Sequence, residues 1–422
     1  MAAPFVPRRS SPSYTRGIGL WQPGAVTSPI PPPVRAARLA SIAPFEVMEV
    51  LDAAQRLEAA GHDVIHLEVG EPDFPTPEPV VEAASRALRR APLGYTPALG
   101  LPALREAIAG HYADAHGVDV DPARVVVTPG SSAALLLALG MALDPGALVL
   151  MADPAYPCNR HFATFVGGGA RLLPTGPGTA YQPTADMLAD AWTRHVAAVI
   201  VASPSNPTGT VIAPDELARI AELCRGRGAT LIVDEIYGGL VYDAPPSTVL
   251  DVVPDAVVIN SFSKYHQMTG WRLGWMVVPE RDVRDAEKLA QNLYICAPAP
   301  AQHAALAAFT PETLAITEER RRVLGARRDA LLAELPSTGF AVRARPAGAF
   351  YVYCDVTGVT GDSFAFARDV LREAHVALTP GRDFGLHRPD EHLRIAYTQD
   401  TQRLMEACAR IRAFVAGRAT AG

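Results

Sequence analysis

The chain has 422 residues, 49% of them hydrophobic, and a formal net charge of −6. That length accommodates one large domain with a smaller one beside it, and so mild a charge gives no reason to expect nucleic acid as a partner. The five cysteines lie scattered with no Cys-x-x-Cys, which argues against a disulfide frame or a zinc site, and the longest apolar run, Ala133 to Leu143, is too short to span a bilayer.

Residues 1–33 are rich in Pro, Ser and Gly and read as an extended or disordered arm. No charged–apolar–small leader pattern opens the chain, so a cytoplasmic location is expected. Phe45 to Ala60 has helical periodicity and stops at Gly61. Val64-Ile-His-Leu67 reads as a short strand leading into Gly70-Glu-Pro-Asp-Phe74, and Glu78 to Arg90 as an amphipathic helix. Apolar strand candidates follow at Val125–Val127, Leu148–Met151, Arg171–Leu173, Ala198–Ala202, Leu231–Val233, Val257–Ile259 and Trp275–Val278, with helical patterns such as Ser132–Met141 and Asp215–Cys224 between most of them. Such alternation predicts an α/β domain with a mostly parallel seven-stranded sheet flanked by helices. Beyond Pro298 a helical stretch gives way to short strands at Ala341–Val342, Phe350–Tyr353, Ala377–Leu378 and Arg394–Ala396, which predicts a smaller α+β domain. The expected division is an arm over 1–33, a first part of the small domain over 34–74, the large domain over 75–300 and the rest of the small domain over 301–422.

The stretch Ser261-Phe-Ser-Lys264 to Trp275 carries the most chemistry. Lys264 and Lys288 are the only lysines in the chain; arginine is used everywhere else. A merely solvated cation needs no lysine, whereas a nucleophilic amine cannot be arginine. Arg272 offers a planar, bidentate cation for a phosphate, and Ser261 and Ser263 can donate to the same anion. An amine beside a phosphate site suggests pyridoxal phosphate, an aldehyde on a phosphate handle. Ser261-x-x-Lys264 also matches a hydrolase motif that needs Lys-Thr-Gly elsewhere, but the other lysine sits in Glu287-Lys288-Leu289 and that reading fails. In open α/β sheets, ligands bind beyond the carboxyl ends of the strands. Asp234 ends one predicted strand there, though a lone strand-end aspartate is as often a helix N-cap. Thr128-Pro-Gly-Ser-Ser132 joins a strand to a helix, where backbone N–H groups can meet a phosphate.

Ser261-Phe-Ser-Lys264 followed by Met268-Thr-Gly-Trp-Arg-Leu-Gly274 resembles the cofactor-lysine signature of the class I/II pyridoxal-phosphate-dependent aminotransferases, with the fold type I architecture. The resemblance runs from about Pro44 to Phe414, with the motifs in the family's order. It implies that Lys264 carries pyridoxal 5'-phosphate covalently and that Asp234 pairs with the ring nitrogen. It implies that Tyr237 and Asn206 reach the phenolic oxygen and that Tyr156 stacks on the ring. Gly130, Ser131, Ser132, Ser261, Ser263 and Arg272 would hold the phosphate, with Tyr95 contributed across a homodimer. Arg394 and Gly70, with Asn206, would receive the substrate carboxylate. The bond before Pro207 is expected to be cis. Ser132 departs from one aspartate-using branch, which has lysine there, and His266-Gln267 has no assigned role. The implied activity is transfer of an amino group from an L-α-amino acid to a 2-oxo acid, 2-oxoglutarate or pyruvate. With no clear arginine for a second carboxylate, Tyr156, Tyr351 and Tyr294 to Pro298 are expected to line an apolar side-chain pocket. A lyase on the same scaffold, a carbon–sulfur β-lyase or a cyclopropane-forming synthase, is the alternative. A pyridoxal-phosphate-sensing regulator would need a DNA-binding domain for which the arm is too short and too proline-rich.

Overall fold

The structure, a computed structural model, describes residues 35–421 apart from Pro92 and Pro246. The arm expected over residues 1–33 lies outside the described residues.

Thirteen strands are seen among the described residues. Strand β1 (Ile65–His66) is followed by seven strands that form one sheet: β2 (Val125–Thr128), β3 (Leu148–Asp153), β4 (Gly169–Pro174), β5 (Val196–Ala202), β6 (Thr230–Asp234), β7 (Val257–Ser261) and β8 (Gly274–Val277). Their order across the sheet is β2-β8-β7-β6-β5-β3-β4. Neighbours from β7 to β4 run parallel, whereas β8 is antiparallel to both β2 and β7. The residues of β2, β6 and β7 are almost wholly buried, as expected for apolar runs covered on both faces. Helices supply the cover. Gly130–Ala142 buries Ala134, Leu135, Leu137 and Ala138 on one side, and Pro214–Arg227 buries Leu217, Ile220 and Ala221 on the other. The second helix starts on a proline and ends at Gly228, whose φ of 67° provides the left-handed cap that glycine adopts without strain.

The remaining strands are β9 (Ala341–Val342), β10 (Tyr351–Asp355), β11 (Val376–Ala377), β12 (Thr379–Pro380) and β13 (His392–Ala396). An antiparallel sheet forms in the order β12-β13-β10-β9, and β11 pairs in parallel with β1. The helices Pro311–Glu334 and Thr401–Ala421 close this second core through Leu324, Leu331 and Leu404, packed in one cluster with Phe350 and Ile395. The stretch around β1 thus belongs spatially with the chain after the large sheet, whereas the helices Glu78–Arg90 and Pro102–His116 pack on the large sheet.

Because β3, β5, β6 and β7 are parallel, their last residues Asp153, Ala202, Asp234 and Ser261 share one edge. The reversed strand β8 begins at that edge: Gly274 pairs with Ser261 on one side and Thr128 on the other. That row is the floor of the candidate site.

Candidate active site

Lys264 lies just beyond the end of β7. It is half-buried, and its Nζ donates to the Gly70 carbonyl at 2.5 Å. Burial pulls its pKa down to about 8; Arg394 and Arg272 act in the same direction, against Glu71 and Asp234. Desolvation penalises the ammonium, so the neutral amine is reached at a lower pH than in water. Asp234, at the end of β6, is buried, and its Oδ1 accepts from the Ile236 N–H at 3.0 Å. Burial raises its pKa to about 6, against that hydrogen bond and the nearby Lys264. Tyr237 is buried one turn on, with its hydroxyl 2.9 Å from the Tyr351 hydroxyl, and burial lifts its pKa well above the usual phenol range.

The turn from β2 into Gly130–Ala142 presents the first-turn N–H groups of that helix, which have no partner within the helix itself. Gly130 has φ 77°, and a Cβ on it would meet Arg272 Nη2 at 2.5 Å. Glycine is therefore favoured by the left-handed backbone, and it lets the Arg272 guanidinium lie close against the turn. Ser261 Oγ donates to Ser263 Oγ at 2.9 Å and lies on the next strand end. Gly274, which pairs with Ser261, lies against Gly130 and Ser131, so these groups are neighbours at one edge of the sheet. The Asn206–Pro207 bond is cis, as expected from the sequence; Asn206 is buried with its Oδ1 bound to Arg394 Nη1 at 3.0 Å.

Arg394 is 2% exposed. Its Nη2 donates to the Glu68 carbonyl and to Thr379 Oγ1, and its Nε has no partner among the described residues. The guanidinium lies over the rings of Tyr351, at 4.2 Å, and Phe384, at 4.8 Å. A Cβ on Gly70 would overlap the Tyr351 hydroxyl, so this glycine is set by close packing. Tyr156 meets Phe45 edge-on at 6.2 Å.

Not every expected residue joins this group. Tyr95 is 84% exposed, on the loop before the helix Pro102–His116. Tyr294 packs against the helix layer around Leu135 and Leu289, and Ile295 stands exposed at φ 67°. His266 is a core ring packed on Phe262, Phe309 and Trp275, and burial drives its pKa down to about 3. Glu68, Thr379 and Phe384, which hold Arg394, were not singled out from the sequence. A glutamate inside the apolar strand pattern His66-Leu67-Glu68 was the available signal.

The family model for aminotransferase class I and II matches residues 62–411. The chain belongs to this family. It is a pyridoxal-phosphate-dependent aminotransferase, as the sequence resemblance implied. A valine–pyruvate aminotransferase from Mycobacterium tuberculosis is 44% identical over 379 residues, covering 89% of this chain and 97% of that protein. An aspartate aminotransferase from Geobacillus stearothermophilus is 34% identical over 396 residues, covering 91% and 99%. Among solved structures, an aminotransferase from Mycobacterium tuberculosis superposes with a TM-score of 0.88 at 43% identity, covering 91% of this chain and 100% of that one. The aspartate aminotransferase of Thermus thermophilus superposes at 0.85 and 32%, covering 90% and 99%. The aminotransferase fold of these neighbours is the mixed seven-stranded sheet described above.

The residues of this aminotransferase fit the cofactor. The N-terminal turn of the helix Gly130–Ala142 lies against Arg272 and against Gly274, which pairs with Ser261, so N–H donors, a guanidinium and a hydroxyl suited to a phosphate stand side by side. A carboxylate raised to about 6 and an amine lowered to about 8 stand at neighbouring strand ends. The unpartnered Arg394 Nε is a donor still available to an anion.

Proposed function

We propose that this aminotransferase moves the amino group of a neutral L-α-amino acid, branched aliphatic or aromatic, to pyruvate or 2-oxoglutarate in two half-reactions. The observation that carries this reading is Arg394: a buried guanidinium with a free Nε, walled by the rings of Tyr351 and Phe384. Such a site takes one carboxylate against apolar surface. The valine–pyruvate aminotransferase among the relatives supports a branched donor and pyruvate as acceptor. The working unit in this reading is a homodimer, with Tyr95 serving the phosphate site of the partner subunit.

Held by the turn at Gly130–Ser132, by Ser261, Ser263 and Arg272, and by Lys264, pyridoxal phosphate supplies an aldehyde that condenses with amines and a ring that takes up electrons when the α-proton leaves. Arg394 and the backbone at Gly70 orient the substrate carboxylate. Lys264 Nζ, with its pKa near 8, is partly neutral at neutral pH and so takes the α-proton and returns it to the carbon that bears the amino group at the end of the half-reaction. The Asp234 carboxylate, its pKa raised to about 6 by burial, would pair with the ring nitrogen, and a proton kept there would strengthen the ring as an electron sink. Tyr237, Asn206 and Tyr156 fix the ring plane.

A panel of donors with each oxo acid, read by product mass, tests the substrate class. Valine and other neutral amino acids should convert pyruvate to alanine, and amines without a carboxylate should be at least ~100-fold poorer, since a charge-assisted fork is left empty. Turnover confined to aspartate and glutamate, or release of pyruvate from a sulfur amino acid with no amino transfer, would contradict it.

A further inference from the structure

Behind Arg394 stands an ion-pair chain that does not touch the substrate site. The guanidinium Nη2 donates to the main-chain carbonyl of Glu68, which also accepts from Thr379 Oγ1 at 3.1 Å. The Glu68 side chain turns the other way, and the residue is 0% exposed. Its Oε1 is 2.7 Å from His66 Nδ1, and its Oε2 has no partner among the described residues. The other ring nitrogen of His66, Nε2, is 3.1 Å from Glu58 Oε1 on the helix Glu46–Ala59. With both ring nitrogens on carboxylates, His66 is held as the imidazolium; the bond to Glu68 raises its pKa to about 9. Two residues on, the Gly70 carbonyl accepts from Lys264 Nζ. The short stretch from Glu68 to Gly70 thus offers one carbonyl to Arg394 and one to Lys264, yet β1 itself is only two residues long. Its pairing with β11 fixes Ile65 and His66, and Leu67 is held by the Ala377 carbonyl and the Ala396 N–H, which leaves Glu68 as the first residue past the ladder.

We propose that Glu68 and His66 are positioning residues for the substrate carboxylate: their buried ion pair fixes the Glu68 main chain, and through its carbonyl the direction of the Arg394 fork. A carboxylate this deep is retained where its partner is fixed in place; alone it would be expelled or reorient, carrying its own carbonyl with it. The pair therefore acts on binding of every substrate that presents an α-carboxylate, whatever its side chain.

This rests on Arg394 receiving that carboxylate, and the test separates the two ideas. The holoenzyme is titrated with 3-methylbutanoate, the carbon frame of valine without its amine, and binding is followed through the visible band of the cofactor. Kinetics with valine are measured in parallel on wild type, His66→Gln, Glu68→Gln, the pair of changes together, and Arg394→Ala. Each single change at 66 or 68 should weaken the acid roughly fivefold or more and raise KM for valine in step, with kcat within about twofold. The double change, which makes both partners neutral, should return to within about twofold of wild type. A merely structural role would lower cofactor content or kcat and would not recover in the pair. Glu68→Gln keeps the side chain's shape and its bond from His66, so it decides alone if His66→Gln does not fold. Single changes that leave acid binding within about twofold of wild type, or a double change that shows the product of the two losses, overturn the proposal while leaving the role of Arg394 intact. An Arg394→Ala enzyme that still binds the acid normally overturns both.

Discussion

Burial acts on Lys264 and Asp234 in opposite senses, lowering the first pKa to about 8 and raising the second to about 6. For the lysine the sign is direct: the neutral amine gains ground as pH rises, and reaches half at about 8 instead of at the ordinary 10.5. Covalent uptake of pyridoxal phosphate by the cofactor-free protein should therefore accelerate with pH and level off above about 8, followed by the rise of the visible band. A rate that keeps climbing toward pH 10 would contradict it. Lys264 and Arg272 could be picked out from sequence because lysine is so rare in this chain and because the surrounding motif is long. Thr379 could not, and Glu68 showed only as a charge inside an apolar run. Thr379 meets Arg394 only through the register of β12 on β13, and Glu68 meets it through a main-chain carbonyl, so neither contact leaves a local pattern.

At the level of elements, the seven strands of the large sheet were visible as apolar runs, but the direction of β8 was not. An apolar run carries no direction. The linking stretch Phe262–Leu273 holds only the short 3-10 turn Thr269–Trp271, and parallel neighbours need a longer crossover, usually through a helix. The reversal has a consequence for the site. It brings Gly274 between Ser261 and Thr128, directly against the Gly130–Ser132 turn. A Cβ there would meet the Gly130 carbonyl carbon and the Ser131 nitrogen at 2.8 Å, both of them backbone atoms that cannot rotate away. Gly274→Ala should push the Gly130–Ser132 turn off its position and weaken cofactor affinity by roughly tenfold or more, with the fold retained. Titration of the apoprotein with pyridoxal phosphate measures this; an unchanged affinity would remove Gly274 from the floor of the site. The two-residue strands β1, β11 and β12 are too short to show a period, which is why the second core was legible only in outline.

In the whole molecule, Tyr95 has an exposed side chain on an anchored loop. Gln302, fully buried, donates to Thr96 Oγ1 at 2.9 Å and accepts from the Leu101 N–H at 2.8 Å, so the loop is held from within while the tyrosine points outward. Leu293 and Ile295 are also exposed. An outward tyrosine on a held loop is the arrangement expected if a second copy takes Tyr95 into its own site. Mixing a Lys264→Ala protein with a Tyr95→Ala protein should restore activity, because one site of each hybrid dimer carries neither change; no recovery despite subunit exchange would argue for independent sites. The assignment of Lys264 as the attachment point of the cofactor is tested most directly by borohydride reduction of the yellow holoprotein and mass mapping of its peptides. The whole chain offers only two lysines, and Lys288 is an exposed partner of Asp285. The reduced cofactor should be found on the peptide containing Lys264 and absent from that containing Lys288. Label on Lys288, or a Lys264→Ala protein that still retains a borohydride-stable adduct, would contradict it.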